Sequence, residues 1–86
     1  MRIEEIPLKE IRRPLPREND QAKVAALMQS IKEIGLLEPI DVLEVDGKFY
    51  GFSGCHRFEA VQRLGYETIR CKVRRATRSV LASHLA

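Results

Sequence analysis

The order of hydrophobic periodicities along these 86 residues predicts an α+β fold, a small single domain spanning residues 1–86 with helices packed on a mixed sheet. Three observations carry this. A helical stripe of Val24, Leu27, Met28, Ile31 and Ile34 runs between a capping Asp20 and a terminating Gly35. Two apolar runs, Ile40 to Val45 and Lys48 to Phe52, flank Asp46-Gly47, the dipeptide that favours a two-residue hairpin. Further on, Ile69, Cys71 and Val73 alternate with Arg70, Lys72 and Arg74, the period of a strand with one buried face.

Taken in order, Arg2 to Ile6 reads as a short strand ended by Pro7. Arg13-Pro14-Leu15-Pro16 follows, and two prolines so close exclude helix and favour an extended, rigid loop. Next come the helix from Gln21 to Ile34 and the hairpin. The second hairpin strand runs into Ser53-Gly54, where a helix from Cys55 to Leu64 begins, burying Phe58, Val61 and Leu64 before Gly65 stops it. Thr68 to Val73 form a strand, and Ala76 to Leu85 a terminal helix. The expected order is therefore β, α, β, β, α, β, α.

Composition narrows the functional classes. Hydrophobic content of 44% with 31% charged residues is that of a globular domain rather than a disordered or fibrous chain. No apolar run approaches the ~20 residues that span a bilayer, and Met1 to Glu5 lacks the apolar core of a signal peptide, so a cytoplasmic protein is expected, a mature plastid form being compatible. Two cysteines and two histidines lack the short spacings of a zinc site, so no metal ligands are expected in the chain itself. The net charge of +3 is unevenly placed: residues 1–56 carry eight Lys/Arg against ten Asp/Glu, and residues 57–86 seven against two. The basic part would suit a nucleotide, a nucleic acid or an acidic surface, and equally a solvated strand face.

The chemistry concentrates at Phe52-Ser53-Gly54-Cys55-His56-Arg57. A lone cysteine can be a small buried hydrophobe, which is the expected role of Cys71, on the apolar side of its strand. Cys55 has a different setting: a flexible glycine before it, His and Arg after it, and a helix start around it. Helix amides and adjacent cations lower a thiol's pKa from its free value near 8.5 and expose a nucleophilic thiolate. The same amides would hold phosphate. Thiol and anion cradle together point to chemistry that couples sulfur to phosphoryl transfer. His84, near the end, reads as a solvated tail residue.

The hexapeptide resembles the Phe-(Gly/Ser)-Gly-Cys-His-Arg hallmark of the sulfiredoxins. Ile11 to Pro16, Asp20 to Val24 and Pro39 to Leu43 resemble further segments of that family in the same order, so nearly the whole chain is covered. The resemblance implies ATP-dependent rescue of the cysteine sulfinic acid in 2-Cys peroxiredoxins. It implies Cys55 as the catalytic thiol, with His56 and the amides of Gly54 to Arg57 on the ATP phosphates. Arg57 would stabilise the thiolate and developing phosphoryl charge. Arg13 matches a family arginine near the cysteine, Lys23 an ATP-contacting lysine, and Ser30 a helix hydroxyl, though Lys23 and Ser30 also fit plain surface positions. Ala26 departs from the pattern, since some relatives carry a nucleotide-binding serine there. Leu15, Leu43 and Phe52 match a peroxiredoxin-docking surface, or equally an ordinary core.

Mg²⁺ would arrive on the ATP phosphates, and an external thiol such as glutathione or thioredoxin would complete the cycle. The resemblance implies a monomer that binds neither nucleic acid nor membrane. ParB-type partition proteins share the frame and supply the alternative, a nucleotide- and DNA-binding module. Their motif usually carries an acidic residue where Cys55 stands.

Overall fold

The computed structural model describes residues 1–14, 18–35 and 38–85. Among these, the strands are β1 (Arg2–Pro7), β2 (Ile11–Arg12), β3 (Ile40–Val45), β4 (Lys48–Gly51) and β5 (Thr68–Arg75), and the helices α1 (Gln21–Ile34), α2 (Cys55–Arg63) and α3 (Arg78–Leu85). The strands form one mixed sheet in the order β1-β5-β3-β4-β2, with β3 parallel to β5, β2 parallel to β4, and the other pairs antiparallel. The expected α+β architecture with helices on a mixed sheet is what the chain adopts.

Local chemistry explains the boundaries. Asp20 Oδ1 accepts from the Ala22 and Lys23 amides at 2.9 and 3.3 Å, a cap that contributes about 1 kcal/mol, and Gly35 ends α1 at φ +81°. Asp46 and Gly47 both have positive φ, the geometry whose twist suits the hairpin between β3 and β4.

Strand register then sorts the side chains. Ile40, Val42, Cys71, Val73, Ile69 and Ile6 fall on the sheet face that Val24 and Ile31 of α1 and Ala60 and Val61 of α2 cover. Each fully buried Ile or Val there contributes roughly 1.5–3 kcal/mol. Leu43, Val45 and Tyr50 fall on the opposite face, where Leu81 and Leu85 of α3 lie beside Val45 and Tyr50.

Three details depart from the sequence expectation. Ile34, expected on the buried face of α1, is 62% exposed at the helix's last residue, while Ile31 one turn earlier is buried. Leu8–Glu10 form a 3-10 turn and Ile11–Arg12 a two-residue strand, too short to leave a periodic signal. His84 is no free tail residue: its ring stacks on Phe52 at 4.9 Å between centroids. Leu15 and Pro16 lie outside the described residues.

Candidate active site

The turn from β4 into α2 is shaped by two glycines. Gly54 takes a left-handed conformation (φ +66°, ψ +32°), and Cys55 then opens the helix. A left-handed residue followed by right-handed ones turns successive amides toward one concavity, a nest suited to an anion. Gly54 has no side chain to cap those amides, so the first N–H groups of α2 are not taken up by a capping residue. A Cβ at Gly54 would collide with the Ile40 side chain, so the turn sits directly on the core.

Gly51 serves a different end. A Cβ there would fall 2.6 Å from Arg13 Nη1 and 3.2 Å from Ile11 Cγ2, so its absence is what lets the Arg13 side chain pass. The guanidinium then lies over the Phe58 ring at 4.9 Å, donates from Nη1 to the Ser53 carbonyl at 2.9 Å, and points Nη2 at Cys55 Sγ, 3.0 Å away. Three fixed neighbours thus aim one cation at one sulfur.

Arg57, expected beside the thiol, is engaged elsewhere. Its Nη1 donates to the Glu38 and Pro39 carbonyls, both at 3.2 Å, and Nη2 lies 3.9 Å from the exposed Glu38 carboxylate. Two residues further along the helix, its long side chain leaves on another side and reaches Glu38 and Pro39 before β3, leaving Arg13 as the guanidinium in contact with sulfur. His56 Nε2 accepts the Asp20 backbone N–H at 3.2 Å, which assigns the proton of a neutral ring to Nδ1.

Lys23, Ala26 and Leu27 of α1 and His56 of α2 line a shallow groove of about 440 Å³. Beside it, Leu27, Phe52, Ser53 and the Gly54–Arg57 turn line a cleft of about 460 Å³. Leu27 and His56 border both, so Lys23 and Cys55 face one continuous depression. Ser30, half-buried two turns along α1, lines neither. Leu43 and Phe52 border a hollow of about 490 Å³ on the α3 side of the sheet, and Phe52 and Ser53 also border the Cys55 cleft. Among the described residues no cluster of three His, Cys, Asp or Glu side chains forms a metal site, and no helix is long and apolar enough to cross a membrane.

The second thiol is of another kind. Cys71 is fully buried and its pKa is pushed up to about 12, chiefly by burial, with the Glu5 and Glu4 charges adding. The folded chain therefore keeps this proton where the unfolded chain has lost it, so raising the pH above about 9 favours unfolding. Urea melts at stepped pH should show wild-type stability falling faster than that of Cys71→Ala, by about 1.4 kcal/mol per pH unit between pH 9 and 12. Equal slopes would mean that the thiol is not held neutral.

Sequence reasoning missed Asn19, Glu59 and Gly51. Glu59 stands four residues after Cys55, the spacing of one helix face, and that was the available signal. Nothing in the sequence tells that Asn19 or Gly51 meets the site.

Comparison with known proteins places this geometry. The ParB N-terminal domain family model matches residues 1–86. Sulfiredoxin, chloroplastic/mitochondrial, of Arabidopsis thaliana is 62% identical over 85 residues, covering 96% of this chain and 68% of that protein. A crystal structure of sulfiredoxin from Arabidopsis thaliana superposes with a TM-score of 0.97 at 60% identity, covering 100% of this chain and 99% of that one. The C-terminally truncated chromosome-partitioning protein ParB from Caulobacter crescentus, complexed with CTP-γ-S, superposes with a TM-score of 0.73 at 29% identity over 88% of this chain and 46% of that one.

Proposed function

Because this chain belongs to the sulfiredoxin family, on the ParB N-terminal domain fold, we propose that residues 1–86 form one catalytic domain that repairs the cysteine sulfinic acid of an overoxidised 2-Cys peroxiredoxin at the expense of ATP. The observation that carries this reading is the Arg13 guanidinium 3.0 Å from Cys55 Sγ, at the mouth of an uncapped, glycine-opened helix turn. Thiol and anion cradle share a residue.

A sulfinate resists thiols because none of its oxygens is a leaving group. Transfer of the ATP γ-phosphoryl group to a sulfinate oxygen makes one, and ADP departs. The Cys55 thiolate attacks the sulfur, inorganic phosphate leaves, and a thiosulfinate joins the two proteins. An external thiol then attacks the Cys55 sulfur and releases the peroxiredoxin as its sulfenic acid; a second thiol frees Cys55. Mg²⁺ would be brought by the nucleotide rather than held by a set of side-chain ligands, and would neutralise phosphate charge.

The residues present fit a polyphosphate. The Cys55, His56 and Arg57 amides stand at a helix N-terminus whose dipole favours anions. His56 Nδ1–H and the Lys23 ammonium border the same depression. Arg13 stabilises the thiolate, and Arg57, through the Glu38 and Pro39 carbonyls, ties the turn to the start of β3 while adding its charge to the cleft it lines. Ala26 offers the nucleotide an apolar wall only. The hollow bordered by Leu43 and Phe52 receives the peroxiredoxin, since Phe52 and Ser53 connect it to the cleft. Two free thiols suit a reducing compartment, cytoplasm or organelle.

Incubation with sulfinylated peroxiredoxin, ATP, Mg²⁺ and glutathione, followed by mass spectrometry, should show loss of sulfinate and, without ATP, none. Gel shifts on duplex DNA run in parallel should show no specific complex near physiological salt. Sulfinate loss without ATP, or specific DNA binding with no ATP-dependent adduct, would overturn the proposal.

A further inference from the structure

Asn19, the residue before the α1 cap, reaches across to the first turn of α2. Its Nδ2 lies 3.2 Å from the Cys55 carbonyl oxygen and 2.8 Å from Glu59 Oε1. Helical spacing sets Glu59 one turn beyond Cys55 on the same face, leaning back toward the N-terminus. One amide NH₂ has two hydrogens and meets two acceptors, a bridge that neither a hydroxyl nor a carboxylate at position 19 makes. The orientation is fixed as well, because exchanging nitrogen and oxygen would set an acceptor against two acceptors. Asn19 Oδ1, on the other side, is buried with no hydrogen-bond partner among the described residues. The bond donated by Asn19, with the Arg63 guanidinium 3.8 Å away, holds the Glu59 carboxyl below its ordinary value.

The need for such a bridge follows from the Gly54 turn. A capping Ser or Asp does not fit at Gly54, where any Cβ meets the Ile40 side chain, and it would occupy the first amides, the groups an anion requires. A clamp on the Cys55 carbonyl and the Glu59 carboxylate restrains the same turn and leaves those amides free. Arg13 and Asn19, on either side of the Pro14 to Pro16 segment, thus hold one cysteine, Arg13 by its sulfur and Asn19 by its backbone.

We propose that Asn19 is a positioning residue for Cys55, acting through the bridge to Glu59 to keep the thiol in line with Arg13. The inference rests on the reading of Cys55 as nucleophile, so its primary test does not depend on repair: the rate at which iodoacetamide alkylates Cys55 in the free protein at fixed pH. Asn19→Ala should slow alkylation several-fold and lower the kcat of repair about tenfold at saturating ATP, the scale of a small misplacement of a reacting group. Glu59→Gln, whose amide oxygen still accepts from Asn19, should keep both rates within about twofold, and Glu59→Ala should fall between. Ile6→Val provides the contrast: it trims a buried side chain of β1 without touching the bridge, so it should lower Tm and leave both rates unchanged well below the melting temperature.

Unchanged alkylation in Asn19→Ala would overturn the inference. So would losses in Asn19→Ala and Ile6→Val that both follow Tm. If Asn19→Ala fails to fold, Glu59→Ala against Glu59→Gln decides by the same two rates, equal rates overturning it. Repair persisting in Cys55→Ser would instead bring down the underlying reading, with the alkylation result standing by itself.

Discussion

Cys55→Ser should abolish sulfinate repair, to below about one part in 10⁴ of the wild-type rate, while leaving the fold intact. The substitution is close to isosteric at a half-buried site, so Tm should move by no more than a few degrees. What disappears is the proposed nucleophile: a serine hydroxyl beside Arg13 stays protonated near neutral pH, and an alcohol is a poor nucleophile toward sulfur. On the proposed reading the phosphates meet the amide of residue 55 and not its side chain, so nucleotide affinity should survive. Repair followed by mass spectrometry, with calorimetric nucleotide binding on the same preparation, separates the two effects. Cys71→Ser is the control and should retain repair, since that thiol is sealed under α1 and α2. Residual repair in Cys55→Ser near the wild-type rate would remove the residue from the chemistry.

Gly54→Ala should be the most damaging single change to the fold near the site. An alanine forced to φ +66° costs about 1–2 kcal/mol. Its Cβ would also press into the Ile40 side chain, lying 3.0 Å from Ile40 Cβ, and Ile40 is 1% exposed with nowhere to retreat. Overpacking of that kind adds about 1–3 kcal/mol. The sum is a large share of the roughly 5–15 kcal/mol that holds a domain together, and at about 4–8 °C per kcal/mol the melting temperature should fall by about 10 °C or more. Gly65→Ala isolates the steric part, because Gly65 has φ +81° and open space for 4 Å around the place its methyl group would take. It should cost only the conformational term. Equal thermal melts for the two variants would show that the Ile40 contact yields freely.

Side chains at separated positions account for how much of the site could be read in advance. The motif around Cys55 was legible because thiol, glycine and cations are adjacent in sequence and a helix start is a local event. The guanidinium at the sulfur was not legible from the motif itself. Arg57 is two residues from Cys55, and its nearness in sequence suggested contact, yet a helical turn directs it to Glu38 and Pro39. Arg13 is 42 residues away and reaches Sγ only because β2 pairs with β4 and Gly51 lacks a side chain. Family resemblance pointed to Arg13 where physical reading of the chain could not. His84 shows the same limit, since its stacking on Phe52 depends on how α3 crosses the sheet.

Local patterns in the chain were enough to set the elements and their buried faces. Asp20 and Gly35 bound α1 through hydrogen bonds and a φ angle within a few residues, Asp46-Gly47 sets the hairpin, and alternation assigns Ile69, Cys71 and Val73 inward. Each is a short-range interaction whose partners are fixed by spacing. The parallel run of β3 beside β5, the exposure of Ile34 and the convergence of Arg13 and Asn19 on Cys55 arose only with the assembled fold. Those outcomes depend on strand order and on the closure of loops, where the partners are tens of residues apart and the free energy of meeting belongs to the whole core rather than to any local pattern.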